Sequence, residues 1–374
     1  MFFENKLVIR IIFIVVFMTA LASTSDVLAK DKGGFDIGAT SLSSAAQKVQ
    51  WHGYYDFEYF NAEKKNDTFD IHKITVWMGI PINDKVFISS EVEYEHFTRL
   101  KGGGTSTRSG GNGELKLDNA MLRVTPVEGS VGYLGAFYVP FGIEYFSYPG
   151  FKNKLVTRPK VMKSGGIVPG TWSDVGLGFN QTFDGVGQAD FFVINGDANN
   201  GGISRDTSTG GNHSKSFGGR IQLDSLFEGV NLGASYVTGK WDTAGENTSY
   251  RVGAHLRVDT DKIFGNTMAP KFIGEYVTGK DELDSSVAGM DKDVSGFYVQ
   301  ASSSVHPMVD IVARYGQYDN DEDKADNNKK ETSLGLVLYL LDNFQIKGEY
   351  LWNQEEGANK TDNDQLAIQV NANW

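Results

Sequence analysis

Residues 366–374 read Leu366-Ala367-Ile368-Gln369-Val370-Asn371-Ala372-Asn373-Trp374, alternating apolar and polar and finishing on an aromatic. Leu366, Ile368, Val370, Ala372 and Trp374 share one face, while Ala367, Gln369, Asn371 and Asn373 line the other, with Gln365 just ahead. Period two is strand geometry, because successive side chains point to opposite sides of the pleat. One apolar face opposite a face of amides suits a wall with lipid outside and water inside. The same stretch also suits an amphipathic edge strand of a soluble sandwich, so the rest of the chain decides.

Period-two segments bounded by turn residues give about sixteen strands. They fall near 51–60, 69–80, 86–97, 115–125, 131–141, 174–183, 188–195 and 217–223 in the first half. The second half supplies 231–239, 250–259, 271–279, 294–305, 309–318, 332–340, 344–353 and 365–374. Short turns at 81–85, 126–130, 184–187, 224–230, 306–308 and 341–343 alternate with long polar loops at 100–114, 142–173, 196–216, 280–293, 319–331 and 354–364. Only the turn at 260–270 is longer than that rhythm expects. A sandwich has no reason to segregate long from short connections, whereas an outer-membrane barrel places short turns in the periplasm and long loops outside. The fold expected is therefore all-β, a transmembrane antiparallel β-barrel of about sixteen strands.

The faces agree from strand to strand. Ile88, Val92 and Tyr94 oppose Glu91, Glu93 and Glu95; Tyr250, Val252, Ala254, Leu256 and Val258 oppose Arg251, His255 and Arg257. Phe344, Ile346, Tyr350 and Trp352 oppose Gln345, Lys347 and Glu349. A charge facing lipid near the midplane costs about 2–4 kcal/mol, so these charges belong to a watery lumen. Trp51, Tyr59, Trp352 and Trp374 near strand ends fit an interfacial girdle.

The chain opens with Lys6 and Arg10, an apolar run from Ile11 to Met18, and small residues ending Val27-Leu28-Ala29. That is the pattern of a signal peptide, 1–29, cut after Ala29. A retained anchor is the other reading, but the run is short of the ~20 residues a spanning helix needs. Residues 30–50 then form a polar periplasmic lead-in and 51–374 the barrel, so the chain is expected in a Gram-negative outer membrane. The absence of cysteine excludes disulfides and thiolate-ligated metals. Forty-four glycines, sixteen tyrosines and twenty-four phenylalanines are a strand-and-turn composition. A net charge of −12 argues against nucleic-acid partners.

On Gly53-Tyr54-Tyr55-Asp56-Phe57-Glu58-Tyr59, on Tyr138-Val139-Pro140-Phe141-Gly142 and on the terminal aromatic, the chain resembles bacterial porins of the family that includes the phosphate-selective porins O and P. The resemblance implies a sixteen-stranded, often trimeric, water-filled diffusion channel whose third external loop folds into the lumen. It also implies that Trp374 is the signal read by the barrel assembly machinery. Phosphate selectivity does not carry over, because that subgroup's ladder of lumen arginines cannot be matched residue by residue.

From Tyr145 to Ser173 there is no acidic residue, while Lys152, Lys154, Arg158, Lys160 and Lys163 supply five positive charges. If this loop folds inward, it sets a cationic strip against the acidic comb of Asp56, Glu58, Glu91, Glu93 and Glu95, and opposed charges across a narrow pore filter solutes by charge. The alternative is an exposed loop whose lysines bind anionic lipopolysaccharide. Arg220, Arg251, Arg257, Lys271, Arg314 and Lys347 either line an anion path or stiffen the barrel as lumen ion pairs. The six histidines, His52, His72, His96, His213, His255 and His306, show no HExxH and no short ligand spacing, and there is no G-x-S-x-G. No cofactor, metal or catalytic residue is expected. The function this supports is passive diffusion of small hydrophilic solutes and ions. A channel selective for phosphate, another anion or a siderophore is the alternative, then an adhesive or structural barrel.

Overall fold

The structure, a computed structural model, describes residues 49–63, 67–96, 113–144, 150–163, 166–169, 172–196, 214–242, 245–282, 291–356 and 363–374. The expected signal peptide, nearly all of the lead-in and the Gly-rich stretch 102–112 lie outside them. Sixteen strands follow: β1 Gln50–Ala62, β2 Thr68–Pro81, β3 Val86–Glu95, β4 Glu114–Val124, β5 Ser130–Tyr138, β6 Ser173–Phe183, β7 Gly187–Ile194 and β8 Ser216–Phe227. The second eight are β9 Val230–Lys240, β10 Thr248–Asp259, β11 Lys271–Asp281, β12 Lys292–His306, β13 Val309–Asp319, β14 Lys329–Leu341, β15 Phe344–Glu355 and β16 Gln365–Asn373. Each strand pairs antiparallel with its chain neighbours, and β1 pairs with β16 from Tyr54↔Asn373 to Ala62↔Gln365, so the sheet closes on itself. Closure leaves no strand edge and satisfies the backbone inside the wall, which is what a hydrocarbon surrounding demands.

Burial follows the period-two pattern with the sense of a soluble protein reversed. Along β10, Tyr250, Val252 and Leu256 are exposed outside while Arg251 and His255 are buried within; along β13, Ile311 and Tyr315 are outside and Asp310 and Arg314 within. Exposed large apolar residues recur around the wall, far beyond the patches a soluble monomer shows. Among the described residues no helix is long and apolar enough to cross a membrane.

The connections 82–85, 125–129, 184–186, 228–229, 307–308 and 342–343 gather at one end with both ends of the barrel chain, and the strand ends that lead into the long connections gather at the other. The over-long turn 260–270 holds a one-turn helix, α1 (Thr260–Phe264), stopped by Gly265 in the left-handed region at φ 65°. β5 ends at Tyr138, three residues before the expected end, because Pro140 has no N–H to donate and Phe141 N instead bonds Val139 O at 2.8 Å. Two bulges matter for the lumen: Asp56↔Lys73 and Phe57↔Ile71 leave His72 extra on β2, and Glu91↔Asn119 and Val92↔Leu117 leave Asp118 extra on β4.

At the closing seam Gly53 and Trp374 exchange backbone hydrogen bonds, Gly53 N to Trp374 O at 3.1 Å and Trp374 N to Gly53 O at 3.0 Å. A Cβ on Gly53 would sit 2.2 Å from Cζ2 of the indole and 2.6 Å from Thr75 O, so the glycine makes the space in which the terminal ring lies. Gly53→Val is expected to displace Trp374 and reduce the folded fraction, read as heat-modifiable mobility, whereas Trp374→Phe keeps it. Wild-type folding and unchanged tryptophan fluorescence in Gly53→Val would refute this.

Candidate functional site

The long connection 139–172 turns inward at Gly142, whose φ of 69° is left-handed. Three bonds hold the turn to β8, β9 and β11. Gly142 N donates to Ser235 Oγ at 2.9 Å, Arg220 Nε donates to Gly142 O at 2.7 Å, and Ile143 N donates to Glu275 Oε1 at 3.1 Å. Glu144 follows, 4% exposed; burial pushes its carboxyl above the usual range, with Arg158 and Arg314 pulling the other way.

Beyond the turn the loop is docked by an apolar seam and a polar one. Val161, Met162, Ile167, Val168 and Trp172 pack with Val139 and Phe141 onto inward-facing Phe192, Ile194, Val237, Val277 and Tyr298 of β7, β9, β11 and β12. Leu155 packs on Val312 and Val337 of β13 and β14. Each such side chain, fully buried, contributes about 1.5–3 kcal/mol, enough together to fix the segment in place. The lumen therefore contains the barrel's hydrophobic core beside the charged residues that strand alternation places there.

The polar seam centres on Arg314. Its Nη1 and Nη2 donate to Thr157 O and Oγ1, both at 2.8 Å, with Glu349 Oε1 at 3.4 Å and Glu331 Oε1 at 3.6 Å. Glu349 also accepts Thr157 N and Oγ1 at 2.7 Å each, and Glu331 accepts Lys160 N at 2.8 Å. Lys154 Nζ pairs with Asp310 at 2.7 Å, and Lys160 Nζ bonds Asn353. Gln345 Nε2 donates to Phe151 O at 3.0 Å, and Arg251 Nε to Ile167 O at 3.1 Å. At its far reach the loop meets β1: a Cβ on Gly150 would lie 2.7 Å from Asp56 Oδ2, and the rings of Phe151 and Tyr54 meet edge-on at 5.6 Å.

The residues singled out from sequence are thus distributed differently from a simple facing pair of charge combs. Asp56, Glu58, Glu91, Glu93 and Glu95 do all belong to the inward phase of β1 and β3. Four of them are bonded to neighbours on the same wall: Asp56 to Asn371, Glu58 to Gln369 at 2.6 Å, Glu93 to Lys73 at 3.1 Å, and Glu95 to Lys116. The loop's Lys154 and Lys160 go to β13, β14 and β15 instead. Arg158 lies within electrostatic reach of both His72 and Glu144, while Lys163 and Lys152 are exposed. Arg220 pairs with Asp190 at 3.4 Å, Arg251 with Asp281 at 2.8 Å, and Arg314 with the two glutamates, all buried, so these three fasten loop to wall. Asp310, Glu275 and Glu331 were not singled out; sharing the inward phase of Arg314 and its neighbours is the signal that marks them.

Below the loop, toward the short-turn end, lies a cavity of about 540 Å³. Lys152, Lys154, Arg257, Lys262 and Lys271 line it against two acids, Glu144 and Asp259, with amides of Gln188, Gln222, Asn231 and Gln300 between them. Arg257 is bonded to Asp259 at 3.0 Å and Lys271 to Asp261 at 2.9 Å, whereas Lys152 is an exposed residue of the lining.

Neither a protein-family model nor a curated protein matches the sequence. Solved structures do match. The anion-selective porin of Comamonas acidovorans superposes with a TM-score of 0.64 at 14% identity, covering 87% of this chain and 98% of that one. The fold is that of the outer-membrane porins. OmpF of Salmonella typhi, in complex with daunomycin, gives 0.62 at 14% identity over 87% of this chain and 97% of that one. OmpT of Vibrio cholerae, an outer membrane protein in a trimer form, gives 0.58 at 13% identity over 87% and 99%.

Proposed function

We propose that this chain is an outer-membrane porin that lets small hydrophilic solutes and ions diffuse passively. The observation that carries the reading is a closed barrel, apolar outside and charged inside, with a connecting segment folded into its lumen. Such a wall needs lipid around it, and a docked loop narrows the passage without closing off the barrel covalently. On this reading the short turns face the periplasm, residues 1–29 are removed on export, Trp374 is read by the assembly machinery, and the chain works as a homotrimer among lipid and lipopolysaccharide. The likeness to the phosphate-selective porins O and P is part of the same reading. No catalytic step is involved. Stable current steps from refolded protein in a planar bilayer are expected; silence from protein shown to be folded and inserted would overturn it.

A preference for anions is the second reading, favoured by the cavity's five cations against two acids. Lys152 is the residue with which to test it, because it is exposed and takes no part in the docking bonds described above. A unit charge acts with about 1 kcal/mol at 4 Å in water, so Lys152→Glu is expected to shift the anion-to-cation permeability ratio a few-fold toward cations. The reversal potential under a KCl gradient reads that shift. An unmoved reversal potential would remove the cavity from the selectivity path.

A further inference from the structure

We propose that Asp70, His72 and His96, at the long-loop mouth of the barrel, form a binding site for one divalent transition-metal ion of the zinc class. One ligand atom from each lies within 4.8 Å of the other two. Each side chain is half-buried, so the site is sheltered but reachable.

Two departures from regular strand geometry bring the imidazoles together. His72 is the bulged residue of β2, turned inward beside Lys73 because it has no partner across on β1. Bulges of this kind re-aim a side chain and are common beside functional sites. His96, the residue after β3, has a φ of 50°, a left-handed value that a non-glycine residue holds at a cost of about 1–3 kcal/mol. Its N–H is shared between Ile71 O at 3.0 Å and His72 O at 3.2 Å, which clamps it against the bulge. The rings of His72 and His96 then meet edge-on at 5.1 Å, and His96 Nδ1 bonds Asp70. Strand pairing requires neither feature, yet both converge on one point.

A further polar atom is left without a hydrogen bond there. His72 Nδ1 is buried and lies 3.3 Å from Glu58 Oε2 without the alignment of a hydrogen bond, and that oxygen is also unbonded. Buried polar atoms are rarely left so in a native structure. Glu58 stands where an outer-shell carboxylate orients a ligating imidazole, or where it would itself close the coordination. Two imidazoles and a carboxylate select zinc, copper or nickel; magnesium and calcium take all-oxygen sets. Three protein ligands leave a fourth position open to water or a passing solute.

The binding claim does not depend on the channel reading, and its test does not use conductance. Untagged full-length protein, folded and stripped of metal, is equilibrated with ZnCl2, desalted, and its metal counted per chain. One zinc per chain is expected. His96→Asn keeps a residue that tolerates the left-handed region while removing the imidazole; with His72→Gln it separates ligand loss from misfolding, each variant being checked for heat-modifiable mobility. Each should lose more than the roughly 10–100-fold in affinity that outer-shell partners cost, while His306→Gln changes nothing. Wild-type protein that binds no zinc at micromolar concentration would overturn the proposal, leaving Asp70 and His96 as a plain ion pair. Zinc that survives both substitutions, or that magnesium displaces at equal concentration, would overturn it equally.

Discussion

Arg314→Ala is expected to release the inward loop and raise single-channel conductance, with flicker, while the barrel stays folded. The guanidinium is 2% exposed and sits between Glu331 and Glu349, at 2% and 1%, with two of its donors spent on Thr157 of the loop. Its removal leaves two buried carboxylates without the guanidinium they share. Breaking a buried pair on one side costs about 3–5 kcal/mol, far more than an exposed pair is worth. The wall itself is spanned by continuous ladders on both sides of β13, so the cheapest relaxation is local: the loop lifts and water reaches the glutamates. Lys154 and Lys160, each followed by a residue other than proline, then become accessible to trypsin, which gives a readout independent of current. Arg314→Lys should fall between, since one ammonium cannot reproduce a planar fork that serves a carbonyl, a hydroxyl and two carboxylates. A variant with wild-type conductance and a wild-type tryptic pattern would show that the apolar seam alone holds the loop.

The barrel was legible because each strand of a two-faced wall repeats one binary message. Leu366 and Ile368 outside, Gln369 and Asn371 inside, and the same alternation in β3, β10 and β15 could be read strand by strand without knowing any contact. Segregated connection lengths added the rest, and the closed order of sixteen strands agrees with that reading.

The lumen was less legible, for a physical reason. Alternation tells which residues point inward but not what they meet there. Phe192 and Ile194 share the inward phase of Asp190, yet the run Phe191-Phe192-Val193-Ile194 is apolar on both faces. That doubling is the mark of a strand covered inside as well as outside, and the apolar loop residues Val161, Met162, Ile167 and Val168 are what covers it. The loop's lysines drew attention to their charge, but Lys154 and Lys160 found their partners on β13–β15, across a sequence gap that no local pattern spans. His72 and His96 were hidden by the same gap, and by a bulge and a backbone angle that strand periodicity does not foresee.

Gly142→Val is expected to misdirect the loop at its first step, with a loss of docking as large as that of Arg314→Ala. At φ 69° a β-branched residue is in a region its Cβ opposes, by about 1–2 kcal/mol for any side chain and more for a branched one. The clash is the larger effect. A Cβ here would lie 1.7 Å from Glu275 Oε1 and 2.9 Å from its carboxyl carbon, and that same oxygen accepts the Ile143 N–H. Glu275 cannot withdraw without giving up that bond, and the chain cannot rotate without moving Gly142 O from Arg220 and Gly142 N from Ser235. One methyl group thus opposes three bonds that set the direction in which the loop enters. Gly142→Ala should show the same effect at smaller size. Pairing it with Glu275→Ala separates the two causes, since residues in contact couple by 0.5–3 kcal/mol or more in such cycles. If the carboxylate is the obstacle, the double variant regains protection of Lys154 and Lys160 from trypsin and returns toward wild-type conductance. If backbone strain dominates, the second substitution restores nothing. Wild-type current and protection in Gly142→Val itself would mean that the loop enters the lumen by its docked seams alone, with its entry turn left free to vary.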